Sequence, residues 1–171
     1  MTQEPAMLYK LIVLYMLDIA DFPLTKSQIG DFMLGKDYTH FLTLQQVLGE
    51  LEESGMIRCE HKGNRTHLFL TEEGKSTLSF FENRISDEIK QDFKNYLWEN
   101  KSKLQNEVNI TWEYHKTRGR EYIAELTAAE RGTPLVSIQL SVATEADAIA
   151  VCDNWQKKNQ EIYRYLTMQL F

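Results

Sequence analysis

The sequence predicts an α+β fold, and two observations on the spacing of apolar residues support this prediction. Apolar residues recur at helical spacing through most of the first half of the chain and again after residue 144. Between these segments the spacing changes to two residues, once near residue 60 and again from residue 108 to residue 142. Helices and antiparallel strands that occur in separate blocks are typical of the α+β class.

Length and composition indicate a folded chain with a real core. The chain has 171 residues, which is enough for one medium domain or two small ones, and 43% apolar with 11% aromatic residues exclude a disordered chain. The formal net charge of −6 argues against a non-specific coat on a polyanion, although it leaves room for a local basic patch.

The sequence contains no segment that predicts membrane insertion or secretion. Its longest apolar run, residues 11–17, is far shorter than the roughly 20 residues that span a bilayer. The N-terminal residues lack the basic start and the cleavage site of a signal peptide. Cys59 and Cys152 fit no disulfide or metal-binding spacing, so we expect two reduced thiols in a cytoplasmic protein.

Two helices are predicted at the start. The first runs from about Pro5 to Asp18, and the second opens on a capping box formed by Thr25 and Gln28 and ends near Gly35. The apolar stripes that predict them contain Met7, Leu8, Leu11, Ile12, Tyr15 and Met16 in the first helix, and Ile29 and Phe32 in the second.

A third helix follows, and its start is open between two positions. Either Thr39 or Thr43 is a suitable N-cap, the latter as a capping box with Gln46, and Gly55 is suited to end the helix. The inward stripe consists of Leu44, Val47, Leu48 and Leu51.

A β-hairpin with two different faces is predicted next. If Gly63 and Asn64 form a two-residue turn, one face is apolar and the other is mostly basic, and Thr71 then caps a fourth helix. The apolar face contains Ile57, Cys59, Leu68 and Leu70, and the solvent face contains Arg58, Glu60, Lys62, Arg65 and His67.

The second half is predicted as a long helix after Ser86, a three-stranded antiparallel meander and C-terminal helices. The strands are predicted over residues 108–115, 121–128 and 135–142, with breaks at Arg118-Gly119 and at residues 131–134. Thr144 and Asp147 form a capping box that opens the next helix, and residues 162–170 are again helical in spacing. We therefore expect two domains, 1–85 and 86–171.

No metal site, cofactor or enzymatic activity is predicted. Cys59, His61 and His67 are residue types that suit zinc, but the hairpin puts His67 on the face opposite the other two. No nucleophile, phosphate-loop or dinucleotide motif occurs in the sequence.

The first half resembles a bacterial winged helix-turn-helix, in which three helices precede a hairpin called the wing. The similarity is carried by residues 44–78, which contain the pattern L-x-x-L-x-x-x-G-x-I, the hairpin and L-T-x-x-G. The whole chain, including the strand with Trp112 and the tail CDNWQKKNQEIYRYL, resembles a family of bacterial winged-helix proteins catalogued as a domain of unknown function.

The resemblance implies a transcriptional regulator that binds double-stranded DNA as a homodimer. The third helix would then read base edges, the wing would contact the backbone, and the start of the second helix would donate to a phosphate. The implied base-reading residues are Tyr38, Thr39, His40, Thr43, Gln45 and Gln46. The implied backbone contacts are Lys62, Asn64 and Arg65 in the wing and Lys26 and Ser27 in the second helix.

The acidic end of the third helix departs from this pattern. It carries Glu50, Glu52 and Glu53, and residues 1–85 hold 8 Lys and Arg against 12 Asp and Glu. An adaptor that binds protein instead of DNA is therefore the alternative.

The role of the second half is also open. Its aromatic residues, Trp98, Trp112, Tyr114, Tyr122 and Trp155, favour a dimer interface over a small-ligand pocket. An unknown small-molecule or protein effector remains compatible with it.

Overall fold

The structure is a computed structural model, and it describes residues 3–130 and 133–171. Within these residues the chain forms six α-helices and two three-stranded antiparallel sheets, which confirms the predicted α+β class. The helices are α1 (Gln3–Ile19), α2 (Lys26–Gly35), α3 (Phe41–Glu53), α4 (Glu72–Phe81), α5 (Asp87–Asn109) and α6 (Glu145–Leu170). The strands are β1 (Leu24–Thr25), β2 (Ile57–Lys62), β3 (Arg65–Leu70), β4 (Ile110–Lys116), β5 (Tyr122–Glu130) and β6 (Thr133–Val142).

Contacts divide the chain into two compact units. Unit 1 contains Met1–His61 and Arg65–Gln105, and unit 2 contains Lys62–Asn64 and Asn106–Phe171. Unit 1 extends through most of α5 because Phe93 and Tyr96 each lie 5.2 Å from Phe32, between ring centroids. The division of function at residue 85 stays a prediction.

Helix α1 lies at the centre of unit 1. Residues 11–17 are all buried, so the helix is covered on every side there, as expected for a helix that is apolar all round. The apolar run is thus part of the core. Among the described residues, no helix is both long and apolar enough to cross a membrane.

The predicted capping box at the start of α2 is confirmed. The Gln28 amide N–H donates to Thr25 Oγ1 at 3.1 Å, and the Thr25 amide N–H donates to Gln28 Oε1 at 3.0 Å. The side-chain Nε2 of Gln28 also donates to the carbonyl of Leu104 at 2.9 Å, near the end of α5.

Strand β1 was not predicted, and it corrects the position of one residue. It pairs antiparallel with β3, with Thr25 opposite His67. His67 was predicted on the solvent face of the hairpin but is only 2% exposed, because both faces of β3 are covered within unit 1 and Thr25 of β1 lies beside it. The apolar face of the hairpin is as predicted, with Ile57 and Leu68 buried.

Neither predicted cap begins α3. The helix starts at Phe41 after His40, which makes no side-chain cap hydrogen bond within the described part of the chain. Thr39 is 7% exposed and precedes the helix, while Thr43 already lies inside it, so packing of the apolar stripe determines the start. All four stripe residues are buried, and Gly55 follows the helix end with φ of 75°, as expected for a C-terminal glycine.

The hairpin turn and the start of α4 follow the prediction. Gly63 has φ of 60° in the turn between β2 and β3. Thr71 caps α4 by accepting from the Gly74 amide at 3.1 Å, and the Thr71 amide donates to the carbonyl of Met56 at 3.2 Å.

Unit 2 contains the predicted meander in the order β4-β5-β6, with one correction at its start. The first strand was predicted from residue 108, but α5 continues to Asn109 and β4 begins at Ile110. Arg118 and Gly119 lie between β4 and β5 as predicted. Of the predicted break at residues 131–134, Arg131 and Gly132 fall outside the described residues, whereas Thr133 and Pro134 already belong to β6.

A single helix ends the chain, where separate terminal helices were predicted. Thr144 caps α6 by accepting from the Asp147 amide at 3.1 Å, and the helix continues without a break to Leu170. Its inward residues Ala148, Cys152 and Trp155 are buried, and Cys152 and Trp155 pack against residues of the sheet. The helical spacing of the last residues is therefore a continuation of the same stripe.

Candidate functional site

The first turns of α3 carry most of the exposed polar side chains predicted to read DNA. His40, Gln45 and Gln46 are exposed, and Thr43 is half-buried. The apolar stripe on the opposite side of the helix is buried in the core. Packing of this stripe fixes the rotation of the helix and therefore the direction in which the exposed side chains point. These residues, with Phe41 and Leu42, form what we call the α3 surface.

Phe41 and Leu42 on this surface were not predicted as site residues. They are 60% and 80% exposed, although both are large and apolar. The helical period that places Leu44 inward also places Leu42 outward, so the signal was present in the sequence. Exposed apolar side chains beside exposed amides are suited to contact another molecule.

The glutamates of α3 differ in their surroundings. Glu50 accepts from Lys10 Nζ at 2.6 Å and from Gln46 Nε2 at 3.1 Å. The hydrogen bond from Lys10, followed by that from Gln46, lowers the pKa of Glu50 below its usual value. Glu52 and Glu53 are exposed, and Glu52 lies roughly 16 Å along the helix axis from Phe41, at 1.5 Å per residue.

Two of the predicted base-reading residues are turned into unit 1. The Tyr38 hydroxyl donates to Asp92 Oδ2 at 2.5 Å, and its ring packs edge-on against Phe32 at 5.7 Å between centroids. Burial, with the hydrogen bond to Asp92, raises the pKa of Tyr38. Thr39 is only 7% exposed. Neither residue presents its side chain to a ligand at the α3 surface.

The predicted backbone contacts fall in two places. Lys26 and Ser27 are the first residues of α2, with Ser27 exposed and Lys26 half-buried, and Arg65 is half-buried at the start of β3 in unit 1. Lys62 and Asn64 belong to unit 2 together with the turn. The structure therefore does not bring the whole predicted set together within one unit.

The hairpin turn is packed within unit 2. Asn64 Oδ1 accepts from the amide of Trp112 at 3.2 Å. A Cβ on Gly63 would lie 3.0 Å from the carbonyl oxygen of Trp112, so the turn lies close against β4. Asn64 is thus engaged in the protein, whereas Lys62 remains exposed.

Unit 2 contains a second candidate, a shallow polar depression on the outer face of its sheet. Its volume is about 180 Å³, which is below the roughly 300 Å³ at which pockets for organic ligands begin. Glu113 and Glu125 lie opposite each other on β4 and β5, and Gln139 on β6 donates to Glu125 Oε1 at 2.9 Å. The hydrogen bond between the two carboxyls raises the pKa of Glu113.

This pair predicts a pH-dependent stability. A raised pKa means that the folded chain holds the Glu113 proton more tightly than the unfolded chain, so the paired ionised form reduces stability at neutral pH. Glu113→Gln is expected to raise the Tm at pH 7 by a few °C, at most about 3 °C, and this gain should shrink as the pH falls and Glu113 itself becomes protonated. Thermal unfolding at pH 7 and pH 4.5 measures it.

Glu99→Gln is the matched control, because Glu99 is an exposed glutamate on α5. It should change the Tm little at either pH. A gain from Glu113→Gln that is equal at both pH values would contradict repulsion between the two carboxylates.

Metal-ligating residues do not gather in the part of the chain that the structure describes. Among those residues, no group of three or more His, Cys, Asp or Glu is arranged to hold an ion. Burial raises the pKa of both Cys59 and Cys152 above that of an ordinary thiol.

The fold and its sites thus define an α+β protein of two compact units, with an exposed polar surface on the first turns of α3. The chain belongs to the family described as a domain of unknown function, DUF4364, whose model matches residues 9–170. The match includes residues of both units. Neither a curated protein nor a solved structure matches the chain significantly.

Proposed function

We propose that this chain is a cytoplasmic, bacterial-type transcriptional regulator that binds double-stranded DNA as a homodimer. In this proposal α2 and α3 form a helix-turn-helix, and β2 and β3 form the wing beside it. The observation that carries the proposal is the α3 surface, where Gln45 and Gln46 are exposed on the first turns of a helix whose other side is buried, and His40 is exposed directly before it. Recognition helices contact base edges with the same part of the helix.

The side chains on α3 suit the major groove. Gln45 and Gln46 can each donate to and accept from an adenine edge, and His40 and Thr43 offer further hydrogen bonds. Leu42, directly beside them, can pack on a thymine methyl group. Ser27 and Lys26 at the start of α2 are suited to a backbone phosphate, because the positive end of the helix dipole and the lysine charge both favour an anion.

The acidic residues of α3 are compatible with weak binding. Glu50 is already paired with Lys10, so its charge is partly balanced within unit 1. Glu52 lies roughly 9 Å along the helix axis from Gln46, at 1.5 Å per residue, which is slightly more than the screening length of about 8 Å at physiological salt. Repulsion of the duplex by Glu52 and Glu53 is therefore reduced, and we expect low affinity with strong dependence on salt.

The wing contributes less than a projecting wing would. Asn64 accepts from the Trp112 amide, and Lys62 and Arg65 carry the positive charge near the turn. Both are cationic and add attraction to the DNA backbone without reading sequence.

Selection of bound fragments from genomic DNA at low salt tests the proposal. The combined variant Gln45→Ala and Gln46→Ala is expected to weaken binding to a selected fragment about tenfold or more, because each bidentate contact to adenine contributes about 1–3 kcal/mol. Arg65→Ala should reduce the slope of log affinity against log salt by about one. Fluorescence anisotropy measures both effects.

Gln91→Ala is the matched control, since Gln91 is exposed on α5 and is not one of the proposed contact residues. It should leave the affinity unchanged. Failure to enrich any fragment, or an affinity that does not vary with salt, would reject DNA binding.

The second candidate function is a protein-binding adaptor, and the exposure of Phe41 and Leu42 favours it. Two large apolar side chains at the start of a helix that ends in the exposed Glu52 and Glu53 suit a basic, partly apolar protein surface. A photo-reactive residue at position 42 should form crosslinks to DNA if the chain is a regulator, and to one defined protein if it is an adaptor.

A further inference from the structure

The outward side of α6 carries an ordered pattern of exposed residues. The inward stripe of this helix packs on the sheet of unit 2, so the opposite side faces solvent in a single chain. Apart from the adjacent Ile149 and Ala150, residues on that opposite side recur every three or four positions, which places them along one line of the helix. We call this line the α6 outer face, and it contains Ala146, Ile149, Ala150, Asp153, Lys157, Gln160, Arg164 and Met168.

The α6 outer face has small and apolar residues near both ends. Ala146 and Ala150 lie near the helix start, where a neighbouring helix could approach closely. Ile149 is 44% exposed in the same part of the helix, and Met168 is 69% exposed near the other end. A partner that covers the outer face would thus bury apolar surface at both ends.

Charge is distributed unequally along the same helix. Its first third carries the exposed acids Glu145, Asp147 and Asp153. Its later part carries the exposed cations Lys157, Lys158 and Arg164, with Glu161 as the one acid after Asp153. A helix that is acidic at the start and basic toward the end is complementary to a second copy of itself in the antiparallel direction. A parallel copy would oppose like charges.

We propose that two copies of this chain pair through the α6 outer face as antiparallel helices related by a twofold axis. This inference rests on the homodimer in the proposed function and names the surface that forms it. With the axis between residues 158 and 159, Asp153 lies opposite Arg164 of the second copy, and Ile149 lies opposite Met168 of that copy. Each contact occurs twice, because a twofold interface uses the same patch on both chains.

The same register also gives Ala150 and Lys157 of the α6 outer face a partner residue on the second copy. Ala150 meets Thr167 of the second copy, and Lys157 lies beside Gln160 and Glu161 of that copy, within about one residue along the axis. In this register the two helices overlap from residue 147 to residue 170, roughly 36 Å at 1.5 Å per residue, so the pairing extends over more than six turns. Opposite charges therefore meet on both sides of the axis, with apolar contacts beyond them.

Exchange of charges tests the proposal by light scattering at micromolar concentration. The wild-type chain is expected to be a dimer. Asp153→Arg and Arg164→Asp should each raise the dimer Kd at least about tenfold, because each places like charges opposite each other twice. The double variant that carries both substitutions restores opposite charges and should return the Kd close to that of the wild-type chain.

Lys158→Asp is the control, since it reverses an exposed charge on the same helix but off the α6 outer face. It should leave the dimer intact. Circular dichroism verifies that each variant is folded, which is expected because all of these side chains are exposed. A monomeric wild-type chain would reject the homodimer as a whole, without bearing on DNA binding by the α3 surface.

A wild-type dimer that none of the single substitutions weakens would reject the α6 outer face while leaving the homodimer. A double variant as weak as the single ones would reject the antiparallel register. Restoration of the dimer in the double variant supports the proposal directly, because a purely structural effect of either substitution would not be reversed by the other.

Discussion

Gly74→Ala is expected to lower the free energy of unfolding by about 3 kcal/mol or more, because the added methyl group has no space. A Cβ at this position would lie 2.1 Å from the carbonyl oxygen of Met56 and 2.9 Å from Leu70 Cδ1. The Met56 carbonyl cannot move aside easily, since it accepts from both the amide and the hydroxyl of Thr71, at 3.2 Å and 2.9 Å. Urea denaturation measures the change.

Gly49→Ala is the matched control for this substitution. Gly49 is exposed inside α3, and nothing lies within 4 Å of an added Cβ. Alanine there should raise the free energy of unfolding by about 0.5–1 kcal/mol, because glycine is the poorer helix former. A Gly74→Ala variant as stable as the wild-type chain would mean that Met56 and α4 are not in close contact.

Trp155→Ala is expected to destabilise unit 2 by about 4 kcal/mol, a typical loss for a large buried aromatic side chain. Trp155 is 1% exposed and is the largest side chain in the core of unit 2, where it packs between α6 and the sheet. The other fully enclosed members of that core are small or medium in size, so they cannot refill the space. Hydrogen exchange of β5 amides and urea denaturation report the loss.

Trp98→Ala is the control, because the Trp98 side chain is 86% exposed on α5. It should change the free energy of unfolding by no more than about 0.5 kcal/mol. Trp155→Phe should lose much less than Trp155→Ala, because phenylalanine retains most of the apolar surface and removes an N–H group that has no acceptor among the described residues. An equal loss of unfolding free energy in Trp98→Ala and Trp155→Ala would contradict the exposure of Trp98 and the burial of Trp155.

Much of the fold follows from local sequence signals. The stripe of α3, the capping box of α2 and the cap of α4 are each determined by residues within one or two turns, and all three were predicted correctly. Gly63 was assigned to a turn because the alternation on both sides requires a reversal there, and its positive φ agrees with that assignment.

The features that were predicted wrongly depend on partners distant in sequence. Strand β1 has only two residues, too few for any periodic signal, and it forms because β3 offers a free edge. Burial of His67 likewise depends on contacts of β3 with elements distant in sequence. The continuation of α5 to Asn109 was missed because of a misleading local signal. The alternation of apolar residues that is typical of β4 begins at Val108, two residues before the strand itself starts.

In the candidate site, too, exposure could be predicted from the sequence, whereas contacts with residues distant in sequence could not. Exposure of Gln45 and Gln46 follows from the helical period, and so does that of the overlooked Leu42. Tyr38 could not be assigned from sequence, because its partner Asp92 is 54 residues away, and a tyrosine beside a helix start serves equally well as a base contact or as a structural anchor. Packing of Asn64 against β4 likewise needs the position of Trp112.

Gln28 links two distant points of unit 1 through one side chain. Its Oε1 accepts from the Thr25 amide at the start of α2, while its Nε2 donates to the Leu104 carbonyl. Leu104 is two residues before the point where the chain enters unit 2. A displacement of the last turns of α5 would therefore also move the first turn of α2, because one buried side-chain amide makes both hydrogen bonds.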